Sequence, residues 1–294
     1  MGRPVPANPI LRAIDVGRIW LSISAASRRE RALFAHVHTY VSFIGHMRSG
    51  HSIVGALLDA HPNAVIGSEE GALQYVNVGF DRWRIFSLLY RNTREIGHSR
   101  SHLPGKKRGG GYTYDVAGQW QGRAERIEVI GDKYGAYNSI RLGASPRLAK
   151  RLHRVVGVPP RFIHVVRNPF DNISTIARRG AEIGTTDALD LDAAINQYAS
   201  LCVHTETVRE FAGAEGLYSF RHEDFVAQPA DELAGLCRWL GLGLPPKYLA
   251  ACAEIVNPSP HASRDKVPWP DAQRRRVEAL IEETPFLDGY TFEA

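Results

Sequence analysis

The chain has 294 residues, 44% of them hydrophobic and 23% charged, which is ordinary globular composition and excludes a disordered or fibrous protein. A chain of this length can bury a core without disulfides. Its formal net charge of +5 suits an anionic ligand, but the basic residues are spread along the sequence, so nucleic-acid binding is not expected.

Residues 1–38 are predicted to form an N-terminal helical segment, with a helical pattern from Pro9 to Ala35, and residues 39–294 one α/β domain. The apolar stretch from Ile19 to Ala26 is too short to span a bilayer and is flanked by arginines. No transmembrane segment or signal peptide is therefore expected. Three cysteines without metal-ligand spacing indicate buried thiols, a cytoplasmic protein and no bound metal: Cys202, Cys237 and Cys252.

The first β-strand is predicted from Tyr40 to Gly45, and apolar residues at helical spacing follow from Ser52 to Ala60. The junction, Gly45 to Ser52 (GHMRSGHS), has the G-x-x-x-x-G spacing of a phosphate-binding loop, in which N–H groups and the helix dipole bind phosphate oxygens. A nucleoside triphosphatase would have lysine after the second glycine. Here His51 stands there and the loop cation is Arg48, which disfavours kinase or ATPase chemistry.

Further strands and helices alternate along the rest of the chain. Strands are predicted at Glu125–Gly131, Arg161–Val166 and Gly216–Phe220, and helices at Asp187–Phe211 and Asp231–Leu240. The alternation predicts an α/β fold of a single domain, with a doubly wound, mainly parallel sheet. Ligands of such sheets bind beyond the carboxyl ends of the strands, so the loops that follow the strands are expected to carry the chemistry.

Two segments resemble motifs of the sulfotransferase family. FIGHMRSGHSIVGALLDAHPN, Phe43 to Asn63, resembles the 5′-phosphosulfate loop and following helix of that family, often written PRSGTT…LLDAHP. RFIHVVRNPFDNISTI, Arg161 to Ile176, resembles its 3′-phosphate motif, in which an arginine ends a strand and a hydroxyl residue follows eight positions later. Arg167 and Thr175 occupy those positions and can converge on one dianionic phosphate, with Ser174 as an alternative hydroxyl.

Two weaker similarities lie later in the chain. Phe220 to Leu242 is similar to the family's YEDL…P…L..LGL segment, and a basic segment resembles in its place the loop that closes over the 3′-phosphate: Ser263, Arg264 and Lys266. The sequence departs from the family pattern where His51 and Ser52 replace two loop threonines and where His222 replaces a late aromatic residue near the nucleotide. Contacts to adenine at His222 are therefore left open.

The resemblance implies a sulfotransferase that uses 3′-phosphoadenosine 5′-phosphosulfate (PAPS) as donor and releases adenosine 3′,5′-bisphosphate (PAP), without a metal. Arg48 is expected to hold the 5′-phosphate and sulfuryl oxygens. The remaining loop residues would donate beside it: Ser49, Gly50, His51 and Ser52. Lys133, in GDK after a predicted strand, resembles the family's GDK or NK lysine and would neutralise charge at the transferred group.

The general base is expected at Glu69, which follows a short predicted strand at the mouth of the loop. In protein-tyrosine sulfotransferases a glutamate at the same distance from the loop arginine has this role. Glu70 is the alternative carboxylate, and His46 and His51 compete for the same function. A histidine against phosphate is more readily a hydrogen-bond donor than a base.

Two other functions stay open: a nucleotide-binding regulatory protein without turnover, and a P-loop small-molecule kinase. The acceptor is left open among small molecules, sugars, lipids and protein tyrosine, because specificity is expected in two predicted loops without motifs, Tyr75–Arg100 and Ser101–Tyr114. Within the second, Gly105–Gly111 (GKKRGGG) is predicted to be an exposed, mobile loop. The oligomeric state is also open.

Overall fold

The computed structural model describes residues 9–101, 114–124, 126–182, 189–257 and 262–293. Within them, five parallel strands form one sheet in the order β2-β3-β1-β4-β5. The strands are β1 Thr39–Ile44, β2 Ala64–Ser68, β3 Val129–Lys133, β4 Pro160–Val166 and β5 Leu217–Arg221. The strand order reverses at β1, which lies between β3 and β4, so the loop after β1 occupies the switch point where ligands bind in such sheets. The α/β fold class and the mainly parallel sheet are confirmed.

Twelve α-helices connect and cover the strands in the described part of the chain. They are α1 Pro9–Glu30, α2 His51–Asp59, α3 Ala72–Asn77, α4 Arg82–Ser101, α5 Gly135–Ala144, α6 Pro146–Val156, α7 Pro169–Glu182, α8 Leu191–Gly216, α9 His222–Ala227, α10 Pro229–Leu240, α11 Pro246–Glu254 and α12 Asp271–Glu283. Short 3-10 turns occur at Arg31–Phe34, Ser263–Lys266 and Pro285–Leu287. None of the described helices is long and apolar enough to cross a membrane.

The strands β1 to β4 are largely buried on both faces, which explains their nearly continuous apolar sequence, whereas the edge strand β5 is partly exposed. Side chains alternate between the two faces along β1, as the pleat requires. Tyr40 and Ile44 pack with α1, α3, α4 and α6, whereas Val41 and Phe43 pack with α2, α10 and α11. A third cluster holds α7, α8 and α12 together. All three cysteines are buried, as expected.

Two predictions need correction. The third strand lies later than Glu125–Gly131, because Asp132 and Lys133 continue the pairing with β2 and belong to the strand. The segment Tyr75–Arg100 is not a loop but contains the end of α3 and most of α4, held by buried Phe86 and Leu89. Gly105–Gly111 and nearly all of Ser101–Tyr114 lie outside the described residues.

Candidate active site

The loop between β1 and α2 has the backbone of a phosphate cradle. Gly45 and Gly50 have φ values of +106° and +103°, in the left-handed region where glycine is favoured. A Cβ on Gly50 would lie 2.6 Å from Nδ1 of His222, so only glycine fits beneath that ring. α2 starts at His51, and the first N–H groups of a helix have no acceptor within it. The loop thus presents free donors and a positive helix end, with the exposed side chain of Arg48 beside them.

Two buried histidines of this loop, His46 and His51, pack against its inner side. Nε2 of His46 lies 3.0 Å from the carbonyl oxygen of Tyr198, and the two rings stack at 3.8 Å. The His51 ring lies 3.3 Å from Oγ of Ser49 and packs edge-on against Phe43. Burial lowers the pKa of His46 to about 4 and, with the charge of Lys133, that of His51 to about 3. Both rings are therefore neutral near pH 7 and poorly basic.

An ion pair lies where β2 and β3 end beside the loop. Nζ of Lys133 donates to Oε1 of Glu69 at 2.9 Å and to Oγ of Ser52 at 3.3 Å. Partial burial works to raise the pKa of Glu69, but the charge and hydrogen bond of Lys133, with the charge of Arg48, outweigh it, so the pKa lies below its usual value. The structure therefore brings together a carboxylate, an ammonium group and a loop hydroxyl that the sequence separates.

A buried carboxylate and an amide hold the turn that carries the ion pair. Asp132 accepts hydrogen bonds from the N–H groups of Glu70 at 3.2 Å and Ala72 at 2.8 Å. Asn92 accepts from the N–H of Ser68 at 2.7 Å and donates to Oε2 of Glu70 at 2.8 Å. Glu70 is thereby directed toward α4. Its neighbour Glu69 instead points toward Lys133.

Neither supporting residue was predicted as part of the site. The sequence does contain a signal for Asp132, because it stands next to Lys133 at the end of a predicted strand. A carboxylate buried there is costly unless hydrogen bonds satisfy its oxygens, so it is expected to bind nearby N–H groups. Asn92 has no such signal, because the predicted loop Tyr75–Arg100 carries no motif.

Replacing Asp132 with Asn is expected to change how stability depends on pH. Burial raises the pKa of Asp132 to about 6, against the N–H bonds that favour its charged form. This folded-state pKa exceeds that of an unfolded aspartate, about 4. The contribution of the protonated Asp132 side chain to the free energy of unfolding is therefore complete below pH ~4 and is lost as pH rises through about 6. The difference in unfolding free energy between wild type and Asp132→Asn should fall by ~3 kcal/mol from pH 4 to 7, by urea titration. A constant difference would contradict the burial effect.

A second group of candidate phosphate-binding side chains, around Arg167, lies at the carboxyl end of β4. Nη1 of Arg167 lies 3.4 Å from Oγ1 of Thr175, and Nη2 donates to Oγ of Ser263 at 3.2 Å. Nη1 also donates to the carbonyl oxygen of Arg48 at 3.1 Å, which joins this cluster to the phosphate loop. The structure thus brings the predicted arginine and two predicted hydroxyl groups together, one strand away from the loop.

Other residues considered for this cluster have separate contacts. Ser174 is fully buried and accepts a hydrogen bond from Nε1 of Trp269 at 3.0 Å, so its hydroxyl faces the core. Arg264 forms an ion pair with Asp171 at 3.1 Å. Lys266 is exposed at the end of the same 3-10 turn.

A narrow cleft adjoins the ion pair on the side of α2 and α4. The space inside it is about 20 Å³, which is room for about one water molecule. Its lining mixes polar side chains, among them Ser52, Thr93 and Lys133, with the apolar side chains of Ile66 and Ile96. Among the described residues, no group of His, Cys, Asp and Glu side chains could hold a metal ion.

A comparison with protein-family profiles matches residues 41–246 to the profile described as "Sulfotransferase family", which is more than half of the chain. The fold is similar to sulfotransferase STF9 from Mycobacterium avium, with 14% identity, a TM-score of 0.50, and 95% of this chain and 87% of that chain covered. It is also similar to mouse sulfotransferase SULT7A1 complexed with PAP, with 10% identity, a TM-score of 0.46, and 86% and 87% covered. Comparison with curated protein sequences gave no match.

Proposed function

The chain belongs to the sulfotransferase family, and from this premise we propose that it transfers a sulfuryl group from PAPS to an acceptor hydroxyl or amine, releasing PAP. One observation carries the assignment of the residues. Among the described residues, Arg48 and Glu69 are the two non-glycine residues with positive φ, at +65° and +59°. Such backbone strain persists where the surroundings impose it and is concentrated at functional sites. Both strained residues lie on the turns that meet at Lys133.

The residues at the ends of β1 and β4 fit a nucleotide that carries two phosphate groups. The loop N–H groups, Arg48 and Ser52 would hold the 5′ side, since a helix amino end and a guanidinium both favour anionic oxygens. Arg167 and Thr175, with Ser263, would hold the 3′-phosphate. Bound PAPS supplies an activated sulfuryl group whose transfer leaves negative charge on the 5′-phosphate.

The ion pair provides the remaining chemical functions. Glu69 is charged at neutral pH because its pKa is lowered, so it can accept the proton of an acceptor hydroxyl. Lys133 and Arg48 would stabilise negative charge on the transferred group and the departing phosphate. His46 and His51 are buried and poorly basic, which makes them supports of the loop rather than bases.

Calorimetry with PAP and with adenosine 5′-monophosphate tests the nucleotide assignment. PAP should bind more tightly, because only PAP has a 3′-phosphate for Arg167. Losing one charge-assisted contact costs about 1.5–3 kcal/mol, so Arg167→Ala should weaken PAP by at least about tenfold. The same variant should bind the monophosphate nearly as wild type does. Equal affinity of wild type for both nucleotides would contradict the assignment.

Turnover is expected to proceed without magnesium, which distinguishes this function from a small-molecule kinase. A kinase of this fold places a lysine after the second loop glycine and holds magnesium beside the triphosphate, whereas the chain has His51 there. Sulfated product should form from PAPS in EDTA. Magnesium-dependent phosphorylation of an acceptor by ATP would instead support the kinase, and PAP binding without turnover would support a regulatory protein.

A further inference from the structure

The charge of the chain is divided very unevenly between its two parts. Residues 1–160 contain 23 Lys and Arg against 11 Asp and Glu, and residues 161–294 contain 13 against 20. The first part therefore carries all of the positive excess, although the net charge of +5 for the whole chain conceals this. A division of this kind is typical of proteins with a polyanionic partner.

α6 concentrates part of this charge in one stripe. Its cations stand at positions i, i+3, i+4 and i+7 and are all exposed: Arg147, Lys150, Arg151 and Arg154. The opposite side of the helix is buried in the core and includes Leu148 and Leu152. α6 contains no acidic residue, and none of the four cations makes an ion pair with a described residue. Within the described part of the chain, no acidic side chain therefore neutralises the stripe.

The stripe continues onto neighbouring elements at the amino end of the sheet. Arg82 lies beside Gly157, directly after α6, and its Nη2 donates to the carbonyl oxygen of Val37 at 3.2 Å. The guanidinium groups of Arg82 and Arg31 each lie 5.3 Å from the ring centre of Trp83. We call the α6 stripe, Arg31 and Arg82 the basic face. Gly157, which Arg82 contacts, leads into the amino end of β4, whereas Lys133 lies at the carboxyl end of β3.

Exposed apolar side chains lie on α1, which packs against the helix of Arg82, and on the turn after α1, which carries Arg31. Leu21 is 68% exposed, Trp20 is 40% exposed and Leu33 is 38% exposed. Arg18 and Arg28 are exposed on the same helix as Leu21. A combination of cations with exposed tryptophan and leucine is typical of helices that lie in the interface of a bilayer.

We propose that the basic face, together with the exposed apolar side chains of α1 and of the turn after it, binds the surface of an anionic phospholipid bilayer. Lipid phosphates and carboxylates complement the cations of the basic face, and the bilayer interface accepts Trp20 and Leu21. A nucleic acid would complement the cations but offers exposed leucine no apolar phase. The inference is independent of the proposed chemistry, because no residue of the basic face has a role in the candidate active site.

The test is co-sedimentation of the full chain with vesicles of phosphatidylcholine alone and with about one quarter phosphatidylserine. Wild type should bind the anionic vesicles, and salt should weaken binding. The variant Lys150→Gln, Arg151→Gln, Arg154→Gln should bind at least about thirtyfold more weakly, since each cation near an anionic surface contributes roughly one kcal/mol. A charge-matched control with three exposed cations of α10, α11 and α12 changed to Gln should bind as wild type does: Arg238, Lys247 and Arg275.

The variant Leu21→Ser distinguishes binding to a bilayer from binding to other polyanions. Because Leu21 is exposed, this substitution leaves the core intact. It should weaken vesicle binding severalfold without changing any binding to a DNA duplex. Equal binding to neutral vesicles would overturn the proposal, as would equal losses in the α6 variant and its control. Tight duplex binding without vesicle binding would assign the basic face to nucleic acid instead.

Discussion

Replacing Glu69 with Gln is expected to lower kcat by about 10²–10⁴ while leaving the affinity for PAP nearly unchanged. Gln keeps the size and hydrogen-bonding capacity of the side chain but cannot accept a proton from the acceptor. The positive φ of Glu69 and its 2.9 Å contact with Lys133 direct this one carboxylate toward the loop. Single-turnover rates with PAPS and one acceptor, together with PAP calorimetry, give both quantities. Loss of PAP affinity would mean a structural role.

Two neighbouring substitutions are the controls for this assignment. Glu70→Gln should keep most of the rate, because Glu70 is bonded to Asn92 on α4. His51→Asn should change nucleotide affinity more than proton transfer, since the His51 ring is buried beside Ser49 and has a pKa of about 3. If Glu70→Gln is the inactive variant, the base lies one residue later. An active Glu69→Gln with an inactive His51→Asn would make the loop histidine the base.

The phosphate loop could be predicted from sequence because its geometry depends on residues that leave a local signature. Gly45 and Gly50 stand where φ is positive, and the apolar strand before them is buried on both sides. Arg167 and Thr175 could be identified from the resemblance to the family's 3′-phosphate motif, in which an arginine ends a strand and a hydroxyl residue follows eight positions later. In both cases the chemistry lies within one strand–loop–helix unit, so spacing along the chain determines spacing in the fold.

What could not be predicted depends on contacts between distant segments. Asn92 bonds Ser68 from the middle of α4, and nothing near Asn92 in sequence indicates that contact. The ion pair of Arg264 with Asp171 joins residues far apart in sequence, so the predicted role of Arg264 at the 3′-phosphate took no account of a nearby carboxylate. The predicted strand ends at Gly131, two residues before the end of β3, because charged residues such as Asp132 and Lys133 are not typical of a buried strand. Their pairing with β2 and their buried partners offset the cost of that charge.

Replacing Lys133 with Met is expected to have the second large effect, a fall in kcat of about 10²–10³. A loss of this size is usual when one preorganised stabilising group is removed from an active site. Met keeps the stem that packs against Gly55 on α2, so the fold should be retained. Removing the cation also removes the charge and hydrogen bond that lower the pKa of Glu69, while the burial that raises it remains. The pKa of Glu69 should therefore rise in the variant.

The pH dependence of kcat/KM distinguishes this electrostatic role from a loss of packing. In wild type the acid limb should lie below the usual glutamate pKa, because Glu69 must be ionised and its pKa is lowered. In Lys133→Met the limb should move to higher pH. Ser52→Ala removes the other partner of Lys133 but leaves the ion pair, so its acid limb should stay where it is in wild type. A wild-type rate in Lys133→Met, or an acid limb that does not move, would remove Lys133 from the transfer step and leave the ion pair as a purely structural contact.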